Sequence, residues 1–243
     1  MPLATAGRFA GVLFDKDGTL VDFHLTWGPA VHAMIVTLAG GDPALMEAQA
    51  EALHFSMPDT RFRESSPLVA GSTADYGLGW AKALGRTDLA ALKAEIDALS
   101  AAESLRSLTP LVETPVVFAA LQAMGLRLGV ATNDSEASAR RQIDALGVGD
   151  VVEFVAGYDS GHGGKPDPGM VHAFAAYLGA PSSRIVLVGD SLHDMAAAKA
   201  AGAVAVAVLS GPAGRAALEP CADHVIAHIG ELPALLDGLE RGG

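Results

Sequence analysis

The sequence predicts an α/β protein, a doubly wound parallel sheet carrying a smaller, inserted, all-α cap. Three observations carry this reading. Short, Val-rich apolar runs alternate with helix-length segments over the second half of the chain. Several of those segments end at a glycine. One long stretch nearer the N-terminus has helical periodicity and none of the Val/Ile runs. Near-continuous apolar strands are what a parallel sheet covered on both faces requires, and strand alternating with helix is the pattern of such a sheet.

In chain order, residues 9–14 (FAGVLF) form the first run, which stops at Asp15. Further strand-sized runs lie at 126–132 (LRLGVAT), 151–156 (VVEFVA), 185–189 (IVLVG), 203–209 (AVAVAVL) and 224–229 (HVIAHI). Between them, 114–124, 135–146, 168–178, 192–201 and 215–218 read as helices. Gly125, Gly147, Gly179 and Gly202 stand where a helix C-cap belongs. Residues 22–108 break the rhythm. There 29–38, 43–55 and 88–105 read as helices, the last with Leu89, Leu92, Ile96 and Leu99 at helical spacing. Residues 56–79, rich in Ser, Pro, Gly and Thr, read as a loop. The organisation expected is a catalytic core of 1–21 and 109–243, interrupted by a helical cap at 22–108.

The chain has 243 residues, with 16 Lys and Arg against 28 Asp and Glu, for a net charge of −12. Half of it is hydrophobic, 18% is charged, and the mean hydropathy is +0.33. Such a composition excludes disorder as the dominant state. The acidic balance argues against nucleic acid or an anionic membrane as the partner, since both call for clustered Lys and Arg. An acidic protein that takes an anionic small ligand needs a local device, and a bound metal ion is the obvious one. The single cysteine, Cys221, makes no internal disulfide and reads as a small buried hydrophobe. The apolar run at the N-terminus is too short for a signal peptide. No stretch approaches the roughly 20 apolar residues of a membrane span. The chain reads as soluble and cytoplasmic.

Four motifs carry chemistry, each at a strand end. Asp15-Lys16-Asp17-Gly18-Thr19-Leu20 follows the first strand. Ligands of open α/β sheets sit at the carboxyl ends of the strands. Two carboxylates two residues apart leave an extended backbone on one side. One can stay ionised on a metal as a nucleophile, and the other can hold a proton as acid and then base. Gly18 permits a tight turn that exposes amides to an anion. A calcium loop would need an acidic or Asn residue at Thr19, glycine at Leu20 and glutamate at Thr26, and all three fail. Thr132-Asn133-Asp134 leads from a strand into a helix, an arrangement that suits either phosphate binding or a plain N-cap. Lys165, in Gly163-Gly164-Lys165-Pro166-Asp167-Pro168, offers a point charge to a phosphoryl oxygen or is a solvated surface group. Asp190 and Asp194, in Gly189-Asp190-Ser191-Leu192-His193-Asp194, suit Mg²⁺ or the start of a helix.

The ordered set DKDGTL, TN, KPDP and GDSLHD resembles the haloacid dehalogenase superfamily of aspartate-nucleophile phosphohydrolases. The likeness covers the core, and the position of the insertion is similar to that of the phosphoglycolate phosphatase-like branch. The resemblance implies a Mg²⁺-dependent phosphatase acting on a small phosphorylated metabolite through an aspartyl-phosphate. It implies Asp15 as nucleophile, Asp17 as general acid and base, and Thr132 with Asn133 and Gly18 at the phosphate. Lys165 would neutralise charge, with Asp190, the Asp15 carboxylate and the Asp17 carbonyl on the metal and Asp194 supporting it. Lys16 stands where many relatives carry an apolar residue. Alternation points it away from the site, and it is assigned no catalytic role.

Rival readings predict different things. A dehalogenase leaves Asp17 without a leaving oxygen to protonate. A phosphonate hydrolase needs a cap lysine, for which Lys82 and Lys93 are the candidates. A sugar phosphomutase would use Asp15 and Asp17 identically. A phospho-acceptor signalling module would keep a long-lived phospho-Asp15. In the cap, Arg61, Arg63 and Trp27 are candidates for contact with a substrate. The eight histidines show no zinc-ligand spacing.

Overall fold

The computed structural model describes residues 7–63, 65–69 and 71–242. The N-terminal residues read for a leader, 1–6, lie outside these. The first strand, β1 (Gly11–Phe14), is wholly buried and gives way to the insertion. The insertion holds α1 (Phe23–Leu38), α2 (Pro43–Ala52), β2 (Phe55–Ser56), β3 (Arg61–Phe62), α3 (Thr73–Ala83) and α4 (Leu89–Arg106). The alternating rhythm then resumes with α5 (Thr114–Ala123), β4 (Arg127–Ala131), α6 (Glu136–Ala145), β5 (Phe154–Ala156) and α7 (Gly169–Leu178). It ends with β6 (Ile185–Gly189), α8 (Leu192–Ala201), β7 (Val204–Val208), α9 (Arg215–Leu218), β8 (His224–Ile226) and α10 (Leu232–Arg241).

Six strands pair in the order β5-β4-β1-β6-β7-β8, all parallel. The first strand in sequence is thus in the middle, flanked by β4 and β6. Phe14 pairs in register with Val130 on one side and Val188 on the other. The ladder runs one step further, where the Asp15 N–H donates to the Val188 carbonyl at 2.8 Å. Asp15, Thr132 and Asp190 therefore leave the sheet at nearly the same level. Alternation divides the buried residues between the faces. Val12, Phe14, Val130 and Val188 pack beneath α5, α6 and α10. Leu13, Ala131 and Leu187 pack beneath α7 and α8, where Cys221 is half-buried rather than fully enclosed.

The insertion has its own hydrophobic cluster, including Met34, Leu53, Phe55, Trp80 and Ile96. It differs in detail from the sequence reading. The first helix begins at Phe23, not at Pro29, because the Asp22 carboxylate caps it by accepting from the Leu25 N–H at 2.8 Å. The stretch read as a loop contains α3, with the Ser72 N–H and hydroxyl both donating to Asp75 at 2.7 Å. Gly77 and Gly79 lower its helix propensity and hide it from pattern reading. Two antiparallel two-residue strands, β2 and β3, add a small non-helical element to the cap. The C-terminal α10 is a further helix that the sequence reading missed.

Candidate active site

At the carboxyl end of the sheet, three chain segments bring four charged side chains together. Asp15, Lys165, Asp190 and Asp194 are all buried. The Lys165 ammonium pairs with Asp15 Oδ1 and lies 2.7 Å from Asp194 Oδ1. Asp194 is also committed to its own helix start, where its Oδ2 accepts from the Ser191 N–H at 3.0 Å and from the Ser191 hydroxyl at 2.5 Å. Burial raises the Asp15 carboxyl to about 7, against the pull of Lys165 and with further push from Asp194 and Asp17. Burial likewise lifts Asp190 well above the ordinary carboxylate range, with Asp15 and Asp194 adding to the effect. Burial opposes the charge on Lys165, but Asp15 and Asp194 outweigh it and hold the ammonium pKa above its usual value.

Asp15, Asp190 and Asp194 each offer an oxygen within 4.8 Å of the others. Three carboxylates share a single buried ammonium, which leaves a surplus of negative charge in a desolvated pocket. A hard divalent cation with oxygen ligands fits this donor set. The Asp17 carboxylate stands outside the cluster.

The remaining candidates are placed with one correction. Thr132, 1% exposed, lies at the cavity, its Oγ1 accepting from the Asp134 N–H at 3.1 Å. Asn133 lines the cavity beside Thr132, and its side-chain amide is engaged by Lys165. Its Nδ2 donates to the Lys165 carbonyl at 2.8 Å, and its Oδ1 accepts from the Lys165 N–H at 2.8 Å. It positions the lysine loop. Gly18 was expected to present its amide to an anion, but its N–H donates to the Val21 carbonyl at 2.8 Å. The need for glycine there is steric. Its φ is +80°, and a Cβ would meet Asp190 Oδ2 at 2.5 Å. Gly211 presses on the same carboxylate more closely, with 1.8 Å from its hypothetical Cβ to Asp190 Oδ2. Gly211 was missed, and its only signal was a glycine three residues past β7.

Lys16 is the larger surprise. Alternation does turn it from the Asp15 side, but it does not leave the protein. It is 0% exposed. Its ammonium donates to Asp17 Oδ1 at 2.7 Å and to Gln142 Oε1 at 3.0 Å, and lies 3.3 Å from Asp134 Oδ2. It stands 5.1 Å from the centre of the Trp27 ring. The Trp27 Nε1–H, from the first cap helix, donates to the same Asp17 oxygen at 2.5 Å. Gln142 Nε2 in turn donates to the Ser104 hydroxyl of the cap at 2.9 Å. Asp17 is therefore held by one core cation and one cap indole. Gln142 carried no motif, and Asp134 was read only as part of Thr132-Asn133-Asp134, not as a partner of Lys16.

Above these groups lies a cavity of about 90 Å³, walled by Asp15, Asp17, Thr132, Lys165 and Asp190 below and by Trp27, Met34 and Phe62 of the insertion above. Neither Lys82 nor Lys93 lines it. Lys82 is exposed, and Lys93 pairs with Asp97 at 2.9 Å and with the Tyr158 hydroxyl.

The family model for haloacid dehalogenase-like hydrolases matches residues 9–202. The chain belongs to the haloacid dehalogenase-like hydrolase family. Within that family it is 37% identical to a phosphoglycolate phosphatase from Rhodospirillum rubrum, over 82% of this chain and 78% of that one. It is 33% identical to a plasmid-borne phosphoglycolate phosphatase from Cupriavidus necator, over 93% and 92% of the two chains. A crystal structure of a predicted phosphoglycolate phosphatase from Haemophilus somnus superposes with a TM-score of 0.70, covering 95% of this chain and 99% of that one at 18% identity. The protein is a haloacid dehalogenase-like phosphatase, similar to the phosphoglycolate phosphatases. No helix among its described residues is long and apolar enough to cross a membrane.

Proposed function

We propose that the protein is a cytoplasmic, Mg²⁺-dependent phosphatase that hydrolyses a small phosphomonoester through an aspartyl-phosphate on Asp15. In this reading residues 1–21 and 109–243 are the catalytic core and 22–108 the cap. One observation carries the reading. The Asp15 carboxylate is buried at the end of the central strand, paired with Lys165, and faces a cavity closed on the far side by the insertion.

A Asp15 carboxylate oxygen attacks phosphorus in line. The Asp15 O–P bond forms as the bond to the leaving oxygen breaks, and Asp17 gives its proton to that oxygen. Asp17 then takes a proton from water, whose oxygen attacks the phosphorus and releases Asp15 and inorganic phosphate. Lys165 and the Thr132 hydroxyl steady the equatorial oxygens throughout. Asn133 holds the Lys165 backbone for that task. Mg²⁺, held by the Asp15 and Asp190 carboxylates and the Asp17 carbonyl with Asp194 in support, would neutralise the phosphate dianion. The insertion excludes bulk water from the cavity, which strengthens each of these interactions.

The test is Asp15→Asn. Phosphate release is expected to fall by at least about 10³-fold, with the circular dichroism spectrum unchanged. Turnover near the native rate in the folded variant would refute the mechanism.

A further inference from the structure

The insertion's half of the cavity differs in chemistry from the half supplied by the sheet. Trp27, Val31, Met34, Phe62, Leu68 and Val69 line it, and the hollow reaches past Met34 to Ser100 between the first and last cap helices. Among the described residues, the insertion contributes no Lys, Arg or His to the wall.

The strand register explains the absence of arginine. On β3, successive side chains face opposite ways. Phe62 turns in, 8% exposed, and packs with tilted rings against Phe23 and Phe55. Arg61 and Arg63 on either side of it are exposed, and Arg63 pairs with Glu51 at 3.4 Å. The remaining cap cations are also directed elsewhere. Arg86 pairs with Asp88 and Glu95, Arg106 with Glu103, and Lys93 with Asp97. On the sheet side, the Lys165 ammonium is already shared by Asp15 and Asp194.

A substrate carboxylate in this hollow would meet Asp15, Asp17, Asp134 and Asp190, and beyond the lysine that serves the phosphate the only basic side chain in the wall among the described residues is His193, which comes from the start of α8 and not from the insertion. Burying a charge without a partner is strongly unfavourable. A polyhydroxyl group would fare little better. The Tyr76 hydroxyl lies 3.1 Å from Thr73 Oγ1 as its hydrogen-bond partner, and the Ser100 hydroxyl donates to Met34 Sδ at 3.7 Å. We infer that the substrate is a phosphomonoester of an apolar alcohol, aromatic or branched aliphatic, whose hydrocarbon part occupies the cap hollow. This rests on the phosphatase reading above and narrows it. It sets the chain apart in preference from relatives named for phosphoglycolate, which carries a carboxylate.

The experiment compares kcat/KM for phosphate release by the full chain with Mg²⁺ from benzyl phosphate, isopentyl phosphate, phosphoglycolate and glycerol phosphate. All four are esters of alcohols, so leaving-group acidity does not dominate the comparison. Acetyl phosphate is included as a substrate with almost nothing to place in the hollow. Benzyl or isopentyl phosphate is expected to exceed phosphoglycolate and glycerol phosphate by at least about tenfold, since single apolar contacts discriminate by that order. The half-exposed Leu68 offers a second measurement. Leu68→Arg is expected to move the benzyl-to-phosphoglycolate ratio toward phosphoglycolate by about tenfold or more, mainly through KM. A third readout needs no turnover: benzylphosphonate is expected to change Trp27 fluorescence at lower concentration than phosphonoacetate does. If phosphoglycolate or glycerol phosphate equals the apolar esters, the substrate inference is wrong and the phosphatase reading stands. If acetyl phosphate and all four esters are inert, the phosphatase reading falls and takes the inference with it.

Discussion

Lys165 and Lys16 are both buried between two aspartates, yet only one of them faces the cavity. Lys165 lies between Asp15 and Asp194 and contributes to the cavity wall. Lys16 lies between Asp17 and Asp134, sealed behind them by Gln142 and the Trp27 ring. A buried ion pair gives little net stability, because desolvation offsets the Coulombic attraction, but removing one partner strands the other. The first lysine can lend its charge to a bound phosphate. The second has no path to a ligand and can act only by holding Asp17 in place. On the proposed mechanism these two triads, which meet in residues 15–17, divide between chemistry and orientation.

The comparison can be broken by neutralising each lysine in turn. Lys165→Met is expected to lower kcat by about 10²–10³-fold, the loss typical of one oriented donor to a developing charge. Lys16→Met is expected to cost about 3 kcal/mol of stability in chemical denaturation, because Asp17 and Asp134 then face each other without a cation. If Lys165→Met retains native kcat, or Lys16→Met leaves the denaturation midpoint unmoved, the proposed division of labour is mistaken.

A smaller effect separates the metal side of the site from the Asp17 side. Gly211→Ala drives a methyl group into Asp190 and leaves the Lys16 triad untouched. The Mg²⁺ concentration needed for half-maximal activity is expected to rise about 10–100-fold, as when a ligand's support is disturbed. An unchanged Mg²⁺ dependence would place the cation elsewhere.

The mildest effect is on pH. In the metal-free protein the Asp15 carboxyl stands at about 7, against an ordinary 3.8, and Asp190 is raised in the same direction. The folded state therefore binds these protons more tightly than the unfolded chain. Their contribution to stability is present at low pH and is lost as pH rises through the folded-state value. Mg²⁺ must displace the same protons. The rise in Tm on adding Mg²⁺ is expected to be larger near pH 8 than near pH 5, and an equal rise at both would contradict the assignment. Chelation at the higher pH should reverse it.

The six sheet strands, most of the core helices and the order of the motifs were legible because each depends on local pattern. An apolar run that ends at an acid places that acid at a strand end, whatever else the chain does. Asp15 and Asp190 were found in this way, whereas Thr132 and Lys165 stood out only through the motifs that resemble the family's. What local pattern could not reach was the direction in which side chains turn after leaving the strand. Lys16 alternates away from Asp15 as expected, yet Asp17, Asp134 and Gln142 draw it back into the interior. The same limit applies to Gly18, whose requirement comes from Asp190 far along the chain. In the cap, Gly77 and Gly79 masked a helix, and Pro29 suggested a start that the Asp22 cap placed earlier.

By itself the sequence determined the sheet and the strand ends at which the motifs stand, because periodicity and strand-end chemistry are properties of consecutive residues, while the roles proposed for those residues come from the resemblance the motifs carry. The tertiary structure alone decided that Arg61 and Arg63 turn outward while Phe62 lines the hollow, and that one lysine faces a ligand while the other is enclosed. Those outcomes depend on strand register and on which distant carboxylates share a desolvated space. Both are set only when distant parts of the chain pack together.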